Sequence, residues 1–376
     1  MRVVIVGAGI GGLSAAVALE QQGHEVVLVE RSDAAAKGGV GIAMGPNALV
    51  ALARLGAAGD VLDRGNTARG RRVYDSTGRK LSEGPWKGGV VRRADLHDAL
   101  MSRLRSEVSY GRTCVSVGQD ERRAVVRFDD GSEEAGDVVV GADGLRSTLR
   151  RQLFADADPI YRGSTSFRGV AQITHPLIEN HITESWGRGR RIGLQNLGRG
   201  WTYWFTAWNA PQGSFVPAAD GKRMLLERYS GWHDPIIAVI EATDVGQILQ
   251  TDLSDRDPLL QWVVGRVALL GDAAHPMTPD LGQGGAQAIE DGVALGDVLR
   301  PDGDPIAALR EYEIRRMPIA YDILRRARRH YRIAQLENPL ACAVRNEIVR
   351  ILPSTIARLI GVRRPQWVET GPEATT

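Results

Sequence analysis

Arg2-Val3-Val4-Ile5-Val6 runs directly into Gly7-Ala8-Gly9-Ile10-Gly11-Gly12, and an Ala- and Leu-rich stretch from Leu13 to Gln22 follows. The short apolar run suits a strand buried on both faces, and the stretch after the glycines suits a helix. Gly23 punctuates that helix, and Glu25 to Glu30 (EVVLVE) reads as a second buried strand. Strand, helix and strand in this order predict a parallel sheet with a right-handed crossover. Gly7 is placed for the tight turn, Gly9 lets a pyrophosphate approach the backbone, and Gly12 allows close helix packing. The free N–H groups at the helix N-terminus then face the diphosphate. Glu30, with Arg31 beside it, closes the second strand 18 residues after Gly12, where an acid accepts from ribose hydroxyls. An adenine dinucleotide is the expected ligand; a glycine turn that binds nothing is the alternative. The motif alone does not choose between NAD and FAD.

Pieces of the same style recur far along the chain. Strands are expected at Asp137 to Val140 and Arg266 to Leu270, and helices near Ala94 to Arg105 and Gly285 to Leu299. The nucleotide-binding sheet is therefore assembled from distant segments. From about 155 to 261 long helical patterns are few and an aromatic cluster appears, which predicts a β-rich insert. Period-2 alternation puts Trp201, Tyr203 and Phe205 on one face and Thr202, Trp204, Thr206 and Trp208 on the other, so both faces are covered. These patterns divide the chain into a discontinuous nucleotide-binding domain (1–72, 90–155 and 262–335), a substrate domain (73–89 and 156–261) and a C-terminal helical segment with a tail (336–376). The run Arg325-Arg326-Ala327-Arg328-Arg329-His330 reads as a solvated helix face. The amphipathic segment Asn338 to Ile360 packs on the nucleotide-binding part or on a twin subunit, so monomer and homodimer both remain open.

Composition narrows the function class. The 376 residues carry a net charge of only +2, without a dominant basic block, so no nucleic-acid partner is expected. Cys114 and Cys342 are too few for a disulfide framework and lack metal-ligand spacing. No metal site is expected, and a cytoplasmic setting fits. No apolar run approaches a membrane span and no leader pattern opens the chain.

Two further corners make the reading specific. Gly141-Ala142-Asp143-Gly144-Leu145-Arg146-Ser147 follows one buried strand. Gly271-Asp272-Ala273-Ala274-His275-Pro276 follows another, with Pro279-Asp280-Leu281-Gly282-Gln283-Gly284-Gly285 downstream. Together with the N-terminal glycines these resemble the three fingerprints of the single-component FAD-dependent aromatic hydroxylases, the p-hydroxybenzoate hydroxylase superfamily, over roughly residues 1–335. The resemblance implies an α/β fold: a Rossmann-like FAD-binding domain with an inserted β-sheet substrate domain and C-terminal helices. It implies FAD as cofactor, NADH or NADPH as transient co-substrate with no Rossmann domain of its own, and O2. The expected activity is hydroxylation of an aromatic or conjugated small molecule through a flavin hydroperoxide.

The same resemblance assigns roles. Asp272 accepts from a ribityl hydroxyl. Gly282, Gly284 and Gly285 start a helix whose N–H groups face the pyrimidine end of the flavin. Asp143 lies on the pyrophosphate side, with helix capping as its alternative. Arg93 meets the FAD phosphates, with Arg92 as the neighbouring register, and Gly41, within Gly38-Gly39-Val40-Gly41-Ile42, passes close to the isoalloxazine. Pro279 lies against the ring face, or is a turn proline before a helix. On the substrate side the chain is similar to bacterial FAD-dependent urate hydroxylases, which places Arg191 and Tyr203 on their substrate-site Arg and Tyr. An ion-pair arginine and a core tyrosine are the alternatives. Gln195 and Thr206 are candidate cavity polar groups, and His275 reads as structural rather than as a base.

Other chemistries on this scaffold compete. The Trp-x-Trp-x-Ile-Pro signature and early lysine of flavin halogenases are missing. An epoxidase or a reductase of a natural-product or isoprenoid intermediate shares the fingerprints, and a module that only holds flavin predicts no NAD(P)H oxidation.

Overall fold

The computed structural model describes residues 1–33 and 40–351. Arg2–Val6 pairs in parallel with Glu25–Val29 on one side and with Val138–Gly141 on the other, and Val138–Gly141 pairs in parallel with Val267–Leu269. Ile10–Gln21 packs against this layer, and a three-stranded antiparallel sheet, Cys114–Gln119, Ala124–Phe128 and Glu133–Gly136, shares its core, so its strands are covered by protein and read as unbroken apolar runs. Val108–Ser109 and an antiparallel Val263–Val264 complete the six-stranded sheet at its edges. The register sets Val6 beside Gly141 and Gly141 beside Leu269. The three glycine-bearing corners therefore leave the sheet from adjacent carboxyl ends, where open α/β sheets bind ligands.

Two helices begin at those corners, Ile10–Gln21 and Gly284–Val298. They cross at short range: a Cβ on Gly292 would lie 2.5 Å from the Ala15 nitrogen, and one on Gly296 would lie 2.8 Å from the Ala18 Cβ. Small residues on both helices thus fix how near the N-terminal unit and the third corner approach.

The second sheet has eight strands, in the spatial order Leu249–Asp255, Ile160–Ala171, Trp201–Asn209, Arg190–Gly198, His181–Trp186, Asn66–Asp75, Lys80–Arg92 and Gly41–Met44. It draws on more of the N-terminal third than the boundary at residue 72 implies. After the first crossover the chain leaves the nucleotide-binding sheet, and Gly41–Met44 bonds to Lys80–Arg92 rather than to any strand of that sheet. The region 156–261 is also not purely β, since Ala218–Tyr229 and Ile236–Glu241 are helices. Their apolar faces meet Phe167, Trp204 and Trp208 on one side of the sheet. Burying an aromatic as fully as Trp204 contributes roughly 4–6 kcal/mol of transfer free energy. Tyr203 and Phe205 point to the opposite side, as period 2 requires.

Asp304 accepts from the Ile306 amide (2.9 Å) and caps the long helix Pro305–Ala334. The basic run near its end is not one solvated face. Arg325 and Arg329, four apart, are exposed, but Arg328 binds Asp255 (2.9 Å) and Asp257 (3.0 Å) and His330 is buried against Trp186. A turn of 3.6 residues carries successive side chains past the surface and into the sheet. Pro339–Ile351 then packs on Lys80–Arg92, with Arg79 bonded to Glu347 at 2.7 Å. Gly38 and Gly39, and the part of the Asn338 to Ile360 segment beyond Ile351 with the tail, lie outside the described residues. Among the described residues no helix is long and apolar enough to cross a membrane.

Candidate active site

The first corner is shaped by glycines whose missing side chains do different things. Gly7 takes φ +106°, and a Cβ there would overlap the Ala142 carbonyl; a Cβ on Gly12 would overlap the Gly7 carbonyl oxygen. These two let the loop close on itself and on the second corner. Gly9 differs, because a Cβ there meets nothing within 4 Å. The space beside it is open in front of the N-terminus of Ile10–Gln21, as a bound diphosphate requires.

Around this opening the sequence-predicted residues take distinct places. Glu30 accepts from the amides of Ala8 (2.9 Å) and Ser32 (3.0 Å). Burial works against its charge, yet those amides hold its carboxyl below the ordinary range. Arg31 is exposed beside it. Arg92 stacks on the Trp201 ring, 4.6 Å from its centroid, while Arg93 opens the next helix and lines the cavity described below. Of the two arginines, Arg93 is the one that lines this cavity. His97, one turn further on, reaches the Ala8 carbonyl at 3.0 Å.

Asp143 caps the helix Thr148–Phe154, its Oδ2 accepting from Thr148 N at 2.7 Å, while Oδ1 is buried with no partner. Burial pushes this carboxyl up. An acceptor left unsatisfied in such a place costs about 1–3 kcal/mol until a donor fills it. The open space at Gly9 and the unpaired Asp143 oxygen both fit a dinucleotide with hydroxyl donors.

The opposite end of the site is a cavity of about 470 Å³ between the two sheets. Gly41, Arg93, Asp272, Pro279, Gly282, Gly284, Gly285 and Tyr203 all line it. Gly41 runs flat on Tyr203, since a Cβ would sit 2.5 Å from the ring. Gly282 has φ +64° and nothing within 4 Å of its Cβ position, and it leads into the N-terminus of Gly284–Val298. Asp272 opens to the cavity directly after the third corner. That corner is anchored by a residue the sequence reading missed: Asp291 accepts from the Gly271 amide (3.0 Å), His275 Nε2 (2.5 Å) and Arg316 Nε (2.7 Å), all buried. His275 is thereby a structural residue rather than a base.

Arg191 stands behind the cavity wall rather than on it. It is buried, and its two terminal nitrogens donate to Glu184 (2.8 Å) and to Asp280. Both carboxylates line the cavity. Glu184 also accepts from Trp186 Nε1 (2.7 Å) and Arg71 (3.2 Å). Burial opposes its ionisation, but Arg191 and the neighbouring cations hold its carboxyl down at about 2. Asp280 goes the other way: burial pushes it up, and Arg191 only partly offsets this. Its Oδ2 is buried without a partner. Two carboxyls on one guanidinium are thus driven apart, the arrangement that separates a spectator from an acid–base group.

Burial also pushes the Tyr203 phenol up, opposed by Arg168 and Arg93, so it stays a neutral donor. Gln195 lines the cavity, its Oε1 buried and unpaired. Thr206 does not: it lies on the far face and bonds the backbone of Phe167.

Residues 1–327 match the family model described as an FAD binding domain. The chain is 39% identical over 364 residues to the aurachin C monooxygenase/isomerase of Stigmatella aurantiaca, covering 94% of this chain and 95% of that protein. It is 34% identical to an FAD-dependent urate hydroxylase of Klebsiella pneumoniae over 344 residues, covering 88% and 89%. The crystal structure of Klebsiella pneumoniae HpxO with FAD and uric acid superposes with a TM-score of 0.89 at 30% identity, covering 99% of this chain and 97% of that one. With three corners converging on one site and these relatives along nearly its whole length, the chain belongs to the FAD-binding family of single-component aromatic hydroxylases, the p-hydroxybenzoate hydroxylase superfamily.

Proposed function

We propose that the protein is an FAD-dependent monooxygenase that uses NAD(P)H and O2 to hydroxylate a planar aromatic or conjugated small molecule carrying an acidic ring O–H or N–H, with Asp280 taking that proton. The observation that carries the reading is the Asp280 carboxylate, one oxygen held by Arg191 and the other unpaired and buried in the cavity wall. Bound FAD supplies the electron transfer from NAD(P)H and the activation of O2.

The chain's own residues do the rest. Gly9 and the N-terminus of Ile10–Gln21 seat the diphosphate, and Asp143 and Asp272 offer acceptors to its hydroxyls. The N-terminus of Gly284–Val298 favours negative charge at the adjoining cavity wall by about 0.3–1 kcal/mol. Trp86, Ile182 and Phe205 form apolar wall that excludes water from the reacting centre. Tyr203, neutral and packed on Gly41, donates to a ring substituent and fixes its orientation. Arg191 is a positioning residue, holding Asp280 so that its second oxygen faces the substrate. A cytoplasmic setting, expected from the two cysteines, belongs to this reading.

Relatives named for urate hydroxylation and for a monooxygenase/isomerase reaction support oxygen insertion into a ring system. Purified protein loaded with FAD, offered urate, phenols and hydroxyquinolines, is expected to oxidise NAD(P)H faster with one class and to yield a product heavier by one oxygen atom. Protein that refuses FAD, or stimulated oxidation ending only in H2O2 across the panel, overturns the proposal.

A further inference from the structure

Arg168 lines the cavity without a carboxylate partner. Arg71 and Arg191 are matched by Glu184 and Asp280; Arg93 makes no ion pair among the described residues either, but its charge acts on Asp272 at the flavin end. Among the described residues no carboxylate pairs with Arg168, and it donates no side-chain hydrogen bond, although it stands in the wall of a site shielded from water on several sides. A half-buried cation without a counter-charge is unfavourable unless a ligand supplies one.

Its place in the sheet shows where that charge would lie. Arg168 pairs with Phe205, Phe205 with Gly193, and Gly193 with Glu184, one row across three strand pairs. A Cβ on Gly193 would overlap the Phe205 ring, so the ring lies flat over the glycine. The row therefore offers a planar apolar floor, with a free cation at one end and the Glu184–Arg191–Asp280 cluster beyond the other. Tyr203, two residues from Phe205 on the same face, feels the charges of Arg168 and Arg93. The remaining acid that lines the cavity is Asp252, and it makes no ion pair with Arg168. It pairs with Thr165, three residues from Arg168, so period 2 turns it to the other face, where it accepts from the Gly213 amide.

We infer that Arg168 is the specificity residue that receives a ring oxygen as an oxyanion, so that the site takes planar hydroxy- or oxo-substituted aromatics and heteroaromatics in their deprotonated form. The inference rests on the monooxygenase reading above. The substrate O–H bond breaks, the proton goes to Asp280 Oδ2, and the electron pair left behind delocalises through the ring onto a conjugated oxygen at the opposite edge, facing Arg168. No redox change accompanies this step. A guanidinium suits it, since its planar fork and weak hydration favour pairing with a flat anion.

The test uses FAD-loaded protein with 4-nitrophenol as probe, because its phenolate is visible by colour, and 4-nitroanisole as a control that cannot ionise. Difference spectra across the neutral range are expected to show bound 4-nitrophenol ionising at least about one pH unit below its value in solution, a tenfold preference for the anion. Arg168→Gln is expected to return that titration to the solution value and to weaken 4-nitrophenol binding on the order of tenfold. Arg168→Lys is expected to retain most of the effect, and 4-nitroanisole affinity to be the same in all three proteins. Equal phenolate fractions in wild type and Arg168→Gln, or failure of the wild type to bind 4-nitrophenol, overturn the inference. Loss of FAD from the wild type instead overturns the monooxygenase reading on which it rests.

Discussion

Asp280 gives one carboxylate oxygen to the buried guanidinium of Arg191 and keeps the other buried and without a hydrogen-bond partner. The pair crosses 89 residues of sequence and ties the strand Arg190–Gly198 to the turn Pro279–Leu281 that leads into the helix Gly284–Val298. An acid held this way has a fixed orientation and an unused acceptor, the two requirements of a general base.

Asp280→Asn preserves the shape and an acceptor for Arg191 but removes the base. Substrate-stimulated oxidation of NAD(P)H is expected to fall by roughly 10²–10⁴-fold while FAD content is unchanged. Burial holds the Asp280 carboxyl above the ordinary range, and it acts only when ionised. Wild-type turnover is therefore expected to fall as pH drops through that raised value, and Asp280→Asn to lose this acid limb. A pH–rate profile on FAD-loaded protein checks both.

The nucleotide-binding corners were legible because each is a local pattern: an apolar run followed by glycines needs no distant partner to be recognised. Arg191 and Tyr203 were found through resemblance, and what Arg191 does was hidden, because its partners Glu184 and Asp280 come from another strand and another domain-scale segment. Asp291 was missed for the same reason, lying mid-helix with nothing local to separate it from a surface acid. Thr206 was misplaced against a signal that was available, since alternation already set it opposite Tyr203. His330 sat in a run whose basic composition suggested solvent, and only the packing of its helix on Trp186 reveals otherwise. Arg168 carries no local signature at all; its meaning lies in a missing counter-charge, which only three-dimensional neighbours define.

Acid stability is a second consequence of the buried carboxylates. Asp291 and Glu184 are both held down at about 2 in the fold, burial opposing and the neighbouring cations prevailing. Their folded values lie below the unfolded ones near 3.8 and 4.5, so their stabilisation is complete above about pH 5 and is lost as pH falls toward 2. Each contributes on the order of 2–3 kcal/mol, and Asp280, shifted the other way, offsets part of it. Urea midpoints measured from pH 6 to pH 3 are expected to fall steeply, and Asp291→Asn to lower the midpoint at pH 6 while flattening that slope.

Removing Arg191 isolates the cost of its charge. Arg191→Leu strands Asp280 and leaves Glu184 with Arg71 and the Trp186 indole N–H, and breaking a buried pair from one side costs about 3–5 kcal/mol. Unfolding of the FAD-loaded variant in urea is expected to show a loss of that size, with part recovered in the double variant Arg191→Leu with Glu184→Gln. The acid limb of whatever turnover survives is expected to move to higher pH, because the cation that offsets the burial of Asp280 is gone.

Gly9 and Gly12 separate binding from folding within one turn of chain. A side chain at Gly12 collides with the Gly7 carbonyl, a backbone atom that cannot swing aside, whereas one at Gly9 meets no protein atom within 4 Å and enters the space left for the diphosphate. Gly9→Val is therefore expected to abolish FAD retention while the apoprotein keeps its thermal midpoint and circular dichroism. Gly12→Val is expected to lose both. Flavin absorbance after gel filtration, read beside thermal unfolding of the apoproteins, distinguishes them, and full flavin content in Gly9→Val places the diphosphate elsewhere.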